Sequence, residues 1–253
     1  MKILAMDTSG QAAAFAALQL EEENARVFGY AELDNMRSLS SQIILRLESV
    51  LQMAGWQLDE VDALAVSLGP GSWTGLRIGL TTAKTLAQSL GLPLTGVPVF
   101  DALAQSVWRR AHEHSPTKQY SLSEHALLLT VAPCRPGEVY GKLFECHPDY
   151  LSIVQSEWIG TPAMMAGTLA TEALSREIEA TAIVSSAAAP VENDFESDMI
   201  LLPNVHLEAI ASEIALAGAA MIEAGEDADP LTLTPLYLAP SAAERNLFAA
   251  SKS

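Results

Sequence analysis

Apolar and polar positions along this chain recur with two periods, and each change of period marks a new element. Met1 to Gly10 is a short apolar run that closes on Asp7-Thr8-Ser9, the pattern of a buried strand ending in a polar turn. Ala12 to Leu20 and Ala25 to Glu32 read as two further strands, with Glu21-Glu22-Glu23-Asn24 as the hairpin between them. The period then lengthens. Leu39, Ile43, Leu47, Val50 and Leu51 lie on one stripe of a helix over about Ser38 to Ala54, which Gly55 stops. A strand at Ala63 to Leu68 runs into a glycine-rich turn. A second helix, about Thr74 to Leu90, aligns Leu76, Leu80, Ala83, Ala87 and Leu90 before Gly91 and Pro93 end it. Leu94 to Val97 is a strand and Phe100 to Ala111 a third helix. Three strands followed by alternating helices and strands is the order of an RNase H-like module.

A polar stretch from His112 to Ser123, with Pro116, breaks the pattern, after which the order partly repeats. Ala126 to Val131, Glu138 to Glu145 and Leu151 to Trp158 read as strands, Thr161 to Glu172 as a helix, Ala180 to Ser185 as a strand and Glu208 to Ala224 as a long helix. The expected fold is α/β, with two RNase H-like modules of the actin, Hsp70 and sugar kinase kind, the second reduced. The first spans residues 1–111 and the second 112–229. A tail, 230–253, docks back through Pro235-Leu236-Tyr237-Leu238 and ends in a mobile segment. Periodicity leaves the direction of the strands in each module open.

Composition narrows the function. At 253 residues, 49% apolar and 18% charged, the chain is globular and long enough to bury a substantial core. Its net charge of −17, from 31 acidic against 14 basic residues, repels phosphate, so a role near RNA requires a basic partner. Acidity also simply maintains solubility, and composition does not choose between the two. Cys134 and Cys146 form no CxxC or Cys/His cluster, which fits a reducing compartment and argues against a disulfide scaffold or structural zinc. No apolar run approaches the ~20 residues of a membrane span. The expected location is the cytoplasm.

The turn at Gly69 to Gly75 invites comparison with phosphate-binding loops, and it fits neither template. GxGxxG from Gly69 needs glycine where Thr74 stands, and GxxxxGK[ST] needs it at Thr74 or Leu76. What remains is a tight strand-to-helix turn whose helix Ser72 or Thr74 can cap. Gly75 and Gly79, four apart on one helical face, permit close approach by another backbone or helix.

The run Gly69-Pro70-Gly71-Ser72-Trp73-Thr74-Gly75-Leu76-Arg77-Ile78-Gly79 resembles the GPGSFTGLRIG signature of the TsaB (YeaZ) family at ten of eleven positions, with Trp73 for phenylalanine. Ile3 to Ser9 resembles the family's ILAIDTS start, Gly137-Glu138-Val139-Tyr140 its GEVY strand, and Pro235 to Leu238 its PxYLR segment. These pieces occur in family order over nearly the whole chain. The resemblance implies a non-catalytic relative of TsaD, with no metal and no cofactor. It implies a heterodimer with a TsaD-type catalytic subunit, which a TsaE-type ATPase joins. The assembly transfers threonylcarbamoyl from its adenylate to N6 of adenosine 37 in tRNAs reading ANN codons, and this chain meets tRNA only through it. In the absence of TsaD the same helices can form a homodimer.

The expected partner surface comprises Ile43, Leu47 and Leu51 on the first helix, and Thr74, Gly75, Leu76, Ile78, Gly79 and Ala83 on the second. A charge at Leu76 or Gly79 is expected to abolish pairing and leave the chain folded. The plainer alternative is that the apolar stripes face this chain's own core. Asp7, Thr8, Ser9 and Arg135 are either a vestigial nucleotide motif or a capped turn. Several departures weigh against nucleotide turnover. Leu39-Ser40-Ser41 stands where family members have His-Ser-Glu, Pro133-Cys134 replaces Asp-Ala before Arg135, and Ser185-Ser186-Ala187 replaces a glycine-rich turn. His112, His114, His125, His147 and His206 include no pair four apart on a helix, the spacing that holds a metal in the catalytic relative. An ATP-dependent kinase or ATPase is the alternative function, and it needs a second carboxylate where Pro133 stands. A protease is a further alternative, without a Ser-His-Asp or HExxH arrangement to support it.

Overall fold

In the computed structural model, which describes residues 1–21, 24–112, 125–185, 200–202 and 205–239, the chain builds two five-stranded sheets. The first comprises β1 (Lys2–Asp7), β2 (Ala13–Glu21), β3 (Asn24–Leu33), β4 (Ala63–Gly69) and β5 (Leu94–Pro98), in the order β3-β2-β1-β4-β5. β1–β2 and β2–β3 are antiparallel hairpins, whereas β4 and β5 run parallel to β1. β1 is central and covered on both faces, so its sequence is continuously apolar rather than alternating. Ile3 and Ala5 enter one core and Leu4 and Met6 the other.

α1 (Leu39–Ala54) and α2 (Trp73–Leu90) cover one face of this sheet, and each ends on a left-handed glycine, Gly55 at φ 70° and Gly91 at φ 68°. Leu39, Ile43, Leu47, Val50 and Leu51 form the buried stripe of α1. The Gly69–Pro70 peptide between β4 and α2 is cis. α3 (Val99–His112) follows β5 directly.

The second sheet comprises β6 (Ala126–Arg135), β7 (Glu138–Cys146), β8 (Leu151–Gly160), β9 (Ala180–Val184) and the two-residue β10 (Ile200–Leu201). Its order is β10-β9-β6-β7-β8, with β6–β7 and β7–β8 antiparallel and β6–β9 and β9–β10 parallel. Strand for strand this repeats the first sheet, so the two RNase H-like modules expected from element order are present. β10, too short to show a period in the sequence, completes the repeat. The stretch at 186–199 between β9 and β10 lies outside the described residues, as do the polar break at 113–124, Ser186-Ala187 and the tail end at 240–253.

α4 (Pro162–Ser175), capped by Thr161 Oγ1 on the Met164 amide, covers the outer face of the second sheet. α5 (Leu207–Glu223) falls within the second module by sequence, yet it packs beside α3 on the first sheet. Together α3 and α5 form the middle layer between the two sheets. That core is continuous from Ile3 and Ala65 through Phe100, Leu103 and Ile210 to Leu128 and Phe144. Fully burying each phenylalanine or leucine contributes roughly 1.5–3 kcal/mol, so the two modules share one large store of stability. A buried ion triad adds to the seam. Lys142 Nζ on β7 lies 2.8 Å from Asp101 of α3 and 2.9 Å from Glu157 of β8.

Candidate functional site

Two sequence motifs far apart in the chain meet at the end of β1. Asp7 accepts the Ser9 amide at 2.9 Å through Oδ1, closing a tight turn, and the Thr8 amide donates to Ser67 Oγ on β4 at 3.3 Å. The Ser72 amide, just before α2, donates to the Ser9 carbonyl at 2.6 Å. Ser72 Oγ then caps the helix by accepting the Gly75 amide at 3.2 Å. The glycines of the loop make this contact possible. A Cβ on Gly75 would lie 2.1 Å from the Thr8 carbonyl oxygen, and one on Gly79 would lie 2.2 Å from Thr8 Oγ1. The close approach anticipated at Gly75 and Gly79 is therefore made by this chain's own Asp7–Ser9 turn.

That placement corrects the expected partner surface. Ile43, Leu47 and Leu51 are buried in the core beneath α1, Leu76 is 1% exposed, and Ala83 is fully buried beneath α2. Gly75 and Gly79 are buried against Thr8. Only Thr74 is exposed and Ile78 half-buried among the residues expected there. An apolar stripe of period 3.6 reports the face that must leave water, and here the chain's own sheet takes it. A charge at Leu76 or Gly79 would damage that packing directly, so it does not isolate pairing from folding. The surface left on the outer side carries Ile44, Leu45 and Met53, which are 47%, 53% and 59% exposed. On the same helix Arg46 Nε is buried with no hydrogen-bond partner among the described residues.

Between the modules, beside the glycine-rich turn, lies a cavity of about 470 Å³. Ser9, the start of α2, α3, the end of β6 and Ile210 of α5 line it, and residues 236–239 close one side. Of the four vestigial-motif candidates, Ser9 and Arg135 reach this cavity; Asp7 and Thr8 are buried behind it. Arg135 Nε donates to Glu138 Oε2 at the hairpin. Pro133 sits on the wall where the alternative ATPase reading needs a carboxylate, and no Asp or Glu lines the cavity among the described residues. The capped-turn role of Asp7 and Ser9 is thus visible in the bonds they make.

The segment after α5 forms a strap over this region that periodicity had shown only in outline. The Ala228 amide donates to Leu94 O and the Leu236 amide to Leu68 O, both at 2.8 Å. Lys84 Nζ donates to the Leu233 carbonyl at 3.0 Å. Tyr237 stacks on Trp73 with ring centroids 3.8 Å apart and accepts a hydrogen bond from Arg77 Nε at 2.9 Å. The signals for this cluster were the tryptophan departure at 73 and the Pro235–Leu238 motif, but nothing in their spacing joins them.

Among the described residues no group of three or more His, Cys, Asp or Glu is placed to hold a metal. His112 Nδ1 lies 2.8 Å from the Trp108 carbonyl and His147 Nε2 lies 2.9 Å from Ser152 Oγ; His114 lies outside the described residues. Cys146 is buried, which pushes its thiol pKa up to about 12, whereas Cys134 is half-buried on the cavity wall. No helix among the described residues is long and apolar enough to cross a membrane.

The family model described as "TsaD: tRNA N6-adenosine threonylcarbamoyltransferase" matches residues 34–123. A relative in Escherichia coli (strain K12), "tRNA threonylcarbamoyladenosine biosynthesis protein TsaB", is 34% identical over 140 residues, covering 55% of this chain and 53% of that protein. The Bacillus subtilis (strain 168) protein of the same name is 35% identical over 104 residues, covering 41% and 44%. The chain thus spans about half the length of the curated relatives it matches. A Pseudomonas aeruginosa crystal structure, described as an uncharacterized protein with similarity to peptidase YEAZ, superposes with a TM-score of 0.68 at 23% identity over 94% of this chain and 99% of that one. At that identity the match speaks to fold alone.

Proposed function

This chain belongs to the TsaB (YeaZ) family, related to TsaD, and on that premise we propose that it is the non-catalytic partner of a TsaD-type subunit in forming N6-threonylcarbamoyladenosine at position 37 of tRNAs reading ANN codons. The observation that carries the pairing is the outer face of α1. Ile44, Leu45 and Met53 are exposed there, and on the same helix Arg46 Nε is buried without a partner among the described residues. A soluble chain that leaves large apolar side chains in water beside an unsatisfied buried donor has a surface suited to another protein. The neighbouring Thr74 and Ile78 of α2 extend it. A homodimer through the same face is the alternative occupant when TsaD is absent, and a TsaE-type ATPase joins the heterodimer. The complex works in the cytoplasm.

The non-catalytic assignment rests on the cavity. With no carboxylate on its described walls, it offers no carboxylate base and no oxygen anion to hold the magnesium of a nucleotide. The same feature disfavours the kinase or ATPase alternative.

The test is coexpression with the host's TsaD and TsaE, followed by size exclusion and a tRNA modification assay with and without this chain. Replacing Ile44 and Leu45 together by Asp and Glu should abolish co-elution while the isolated chain keeps its unfolding midpoint. Modification that proceeds equally well without the chain would overturn the role. Co-elution of the double variant at wild-type yield would move the interface elsewhere.

A further inference from the structure

The cavity between the modules has a composition that the rest of the chain does not. Acidic residues number 31 of 253, about one in eight, yet none of the 21 described residues that line the cavity is acidic and one, Arg135, is basic. Val99, Phe100 and Leu103 from α3, Val131 from β6 and Ile210 from α5 give the cavity apolar walls, and Ser9, Gln11, Ser72 and Tyr140 add uncharged polar groups. Ser72 and Trp73 bring the positive end of an 18-residue helix to the same space. The volume of about 470 Å³ falls within the range of small-molecule sites. In a chain of net charge −17, a pocket whose described walls carry no carboxylate is a place where an anion escapes the general repulsion at close range.

We propose that this cavity binds a small amphiphilic anion, an apolar or aromatic body bearing one carboxylate or phosphate-type group, without a metal ion. The apolar body lies against Phe100, Leu103 and Ile210, and the anionic group faces Arg135 and the start of α2. A magnesium nucleotide is the wrong ligand, because the described walls hold no oxygen anion to share the cation. The site is independent of the pairing proposed above, and the isolated chain tests it.

The cavity carries its own reporter. Cys134 lines it, whereas Cys146 is fully buried with its thiol pKa pushed up to about 12, so alkylation reads Cys134. The probe is 1-anilinonaphthalene-8-sulfonate, an aromatic monoanion, titrated by fluorescence while iodoacetamide labelling of Cys134 is timed. Saturable binding should slow labelling in proportion to occupancy, and the uncharged N-phenyl-1-naphthylamine should bind more weakly. Gln11 lines the cavity and is exposed, so its substitution leaves packing intact. Gln11→Glu and Arg135→Gln should each weaken the probe by about tenfold, the worth of one charge-assisted contact, while Gln11→Lys should not weaken it. Probe binding that leaves Cys134 labelling unchanged, or that ignores both charge changes, would overturn the proposal. So would stronger protection of Cys134 by magnesium ATP than by the probe, or absence of saturable binding.

Discussion

At Gly79 the space between α2 and the β1 turn is smaller than one methyl group. A Cβ there would lie 2.2 Å from Thr8 Oγ1 and 2.9 Å from its Cγ2, both side-chain atoms. At Gly75 the obstacle is the Thr8 carbonyl oxygen at 2.1 Å, which is backbone. Alanine gains up to about 1 kcal/mol of helix propensity over glycine, but overpacking costs about 1–3 kcal/mol, so the clash wins at both positions. The two substitutions should nevertheless differ. Gly79→Ala should destabilise by about 1–2 kcal/mol, and adding Thr8→Ala should restore most of it, because that change removes both offending atoms and the unpartnered hydroxyl. Gly75→Ala should not be rescued by Thr8→Ala. Urea unfolding of the six proteins, wild type included, read as two double-mutant cycles, decides it; equal rescue at both positions would contradict the geometry. The sequence shows that α2 admits a close neighbour at these glycines. It does not show that the neighbour is Thr8, because spacing along one helix carries no information about which distant turn the sheet brings beside it.

The elements were legible where burial alone sets the pattern. Leu39, Ile43, Leu47, Val50 and Leu51 share one helical stripe in the sequence and are the buried residues of α1. β10 was missed because two residues cannot display a period of two. α5 shows an apolar face in sequence but not which of the two sheets it joins. The contacts between elements were likewise silent, and the clearest is Lys142 with Asp101 and Glu157. Lys142 keeps 6% of its side chain exposed, against 31% for Asp101 and 14% for Glu157. Lys142→Met would leave two carboxylates facing each other in the seam, at a cost of about 3 kcal/mol, the low end for breaking a buried pair because Asp101 retains solvent. Burial raises the Asp101 pKa despite Lys142. A carboxyl whose folded pKa is raised contributes stability that is fully present below its unfolded pKa and is lost as pH rises through the folded pKa. The Lys142→Met deficit should therefore shrink as pH falls from 7 towards the carboxylate range, while Asp101→Asn should be nearly neutral because Lys142 keeps Glu157. Urea midpoints across pH check this, and a deficit independent of pH would refute it. The strap is a second such contact: Tyr237→Ala should cost about 1 kcal/mol through loss of the Trp73 stack and shift tryptophan emission, with the unfolding transition still single.

Over the whole molecule, charge and architecture point to a division of labour. Five layers, α1/α2, sheet, α3/α5, sheet and α4, place the two sheets around one shared core and leave the outer helices to the surface. Over the whole sequence, 31 acidic residues outweigh 14 basic ones. Among the basic residues, Lys2, Arg109, Lys142 and Arg176 each pair with a carboxylate of this chain, which removes them as phosphate ligands. Affinity for RNA comes mainly from neutralising phosphates and falls steeply with salt. A chain with this balance has the sign of that term reversed, and lowering the salt lengthens the repulsion rather than revealing attraction. The isolated protein should therefore give no electrophoretic shift of tRNA, even at about 50 mM salt where non-specific binding by basic proteins is strongest. The assembly with TsaD and TsaE should shift it, with a salt dependence inherited from the partners and unchanged by further acidic substitutions on α4, far from the α1/α2 face. A salt-sensitive shift by the chain alone would mean that an unpaired basic surface contacts RNA directly, and the partner-mediated reading of its role would fail.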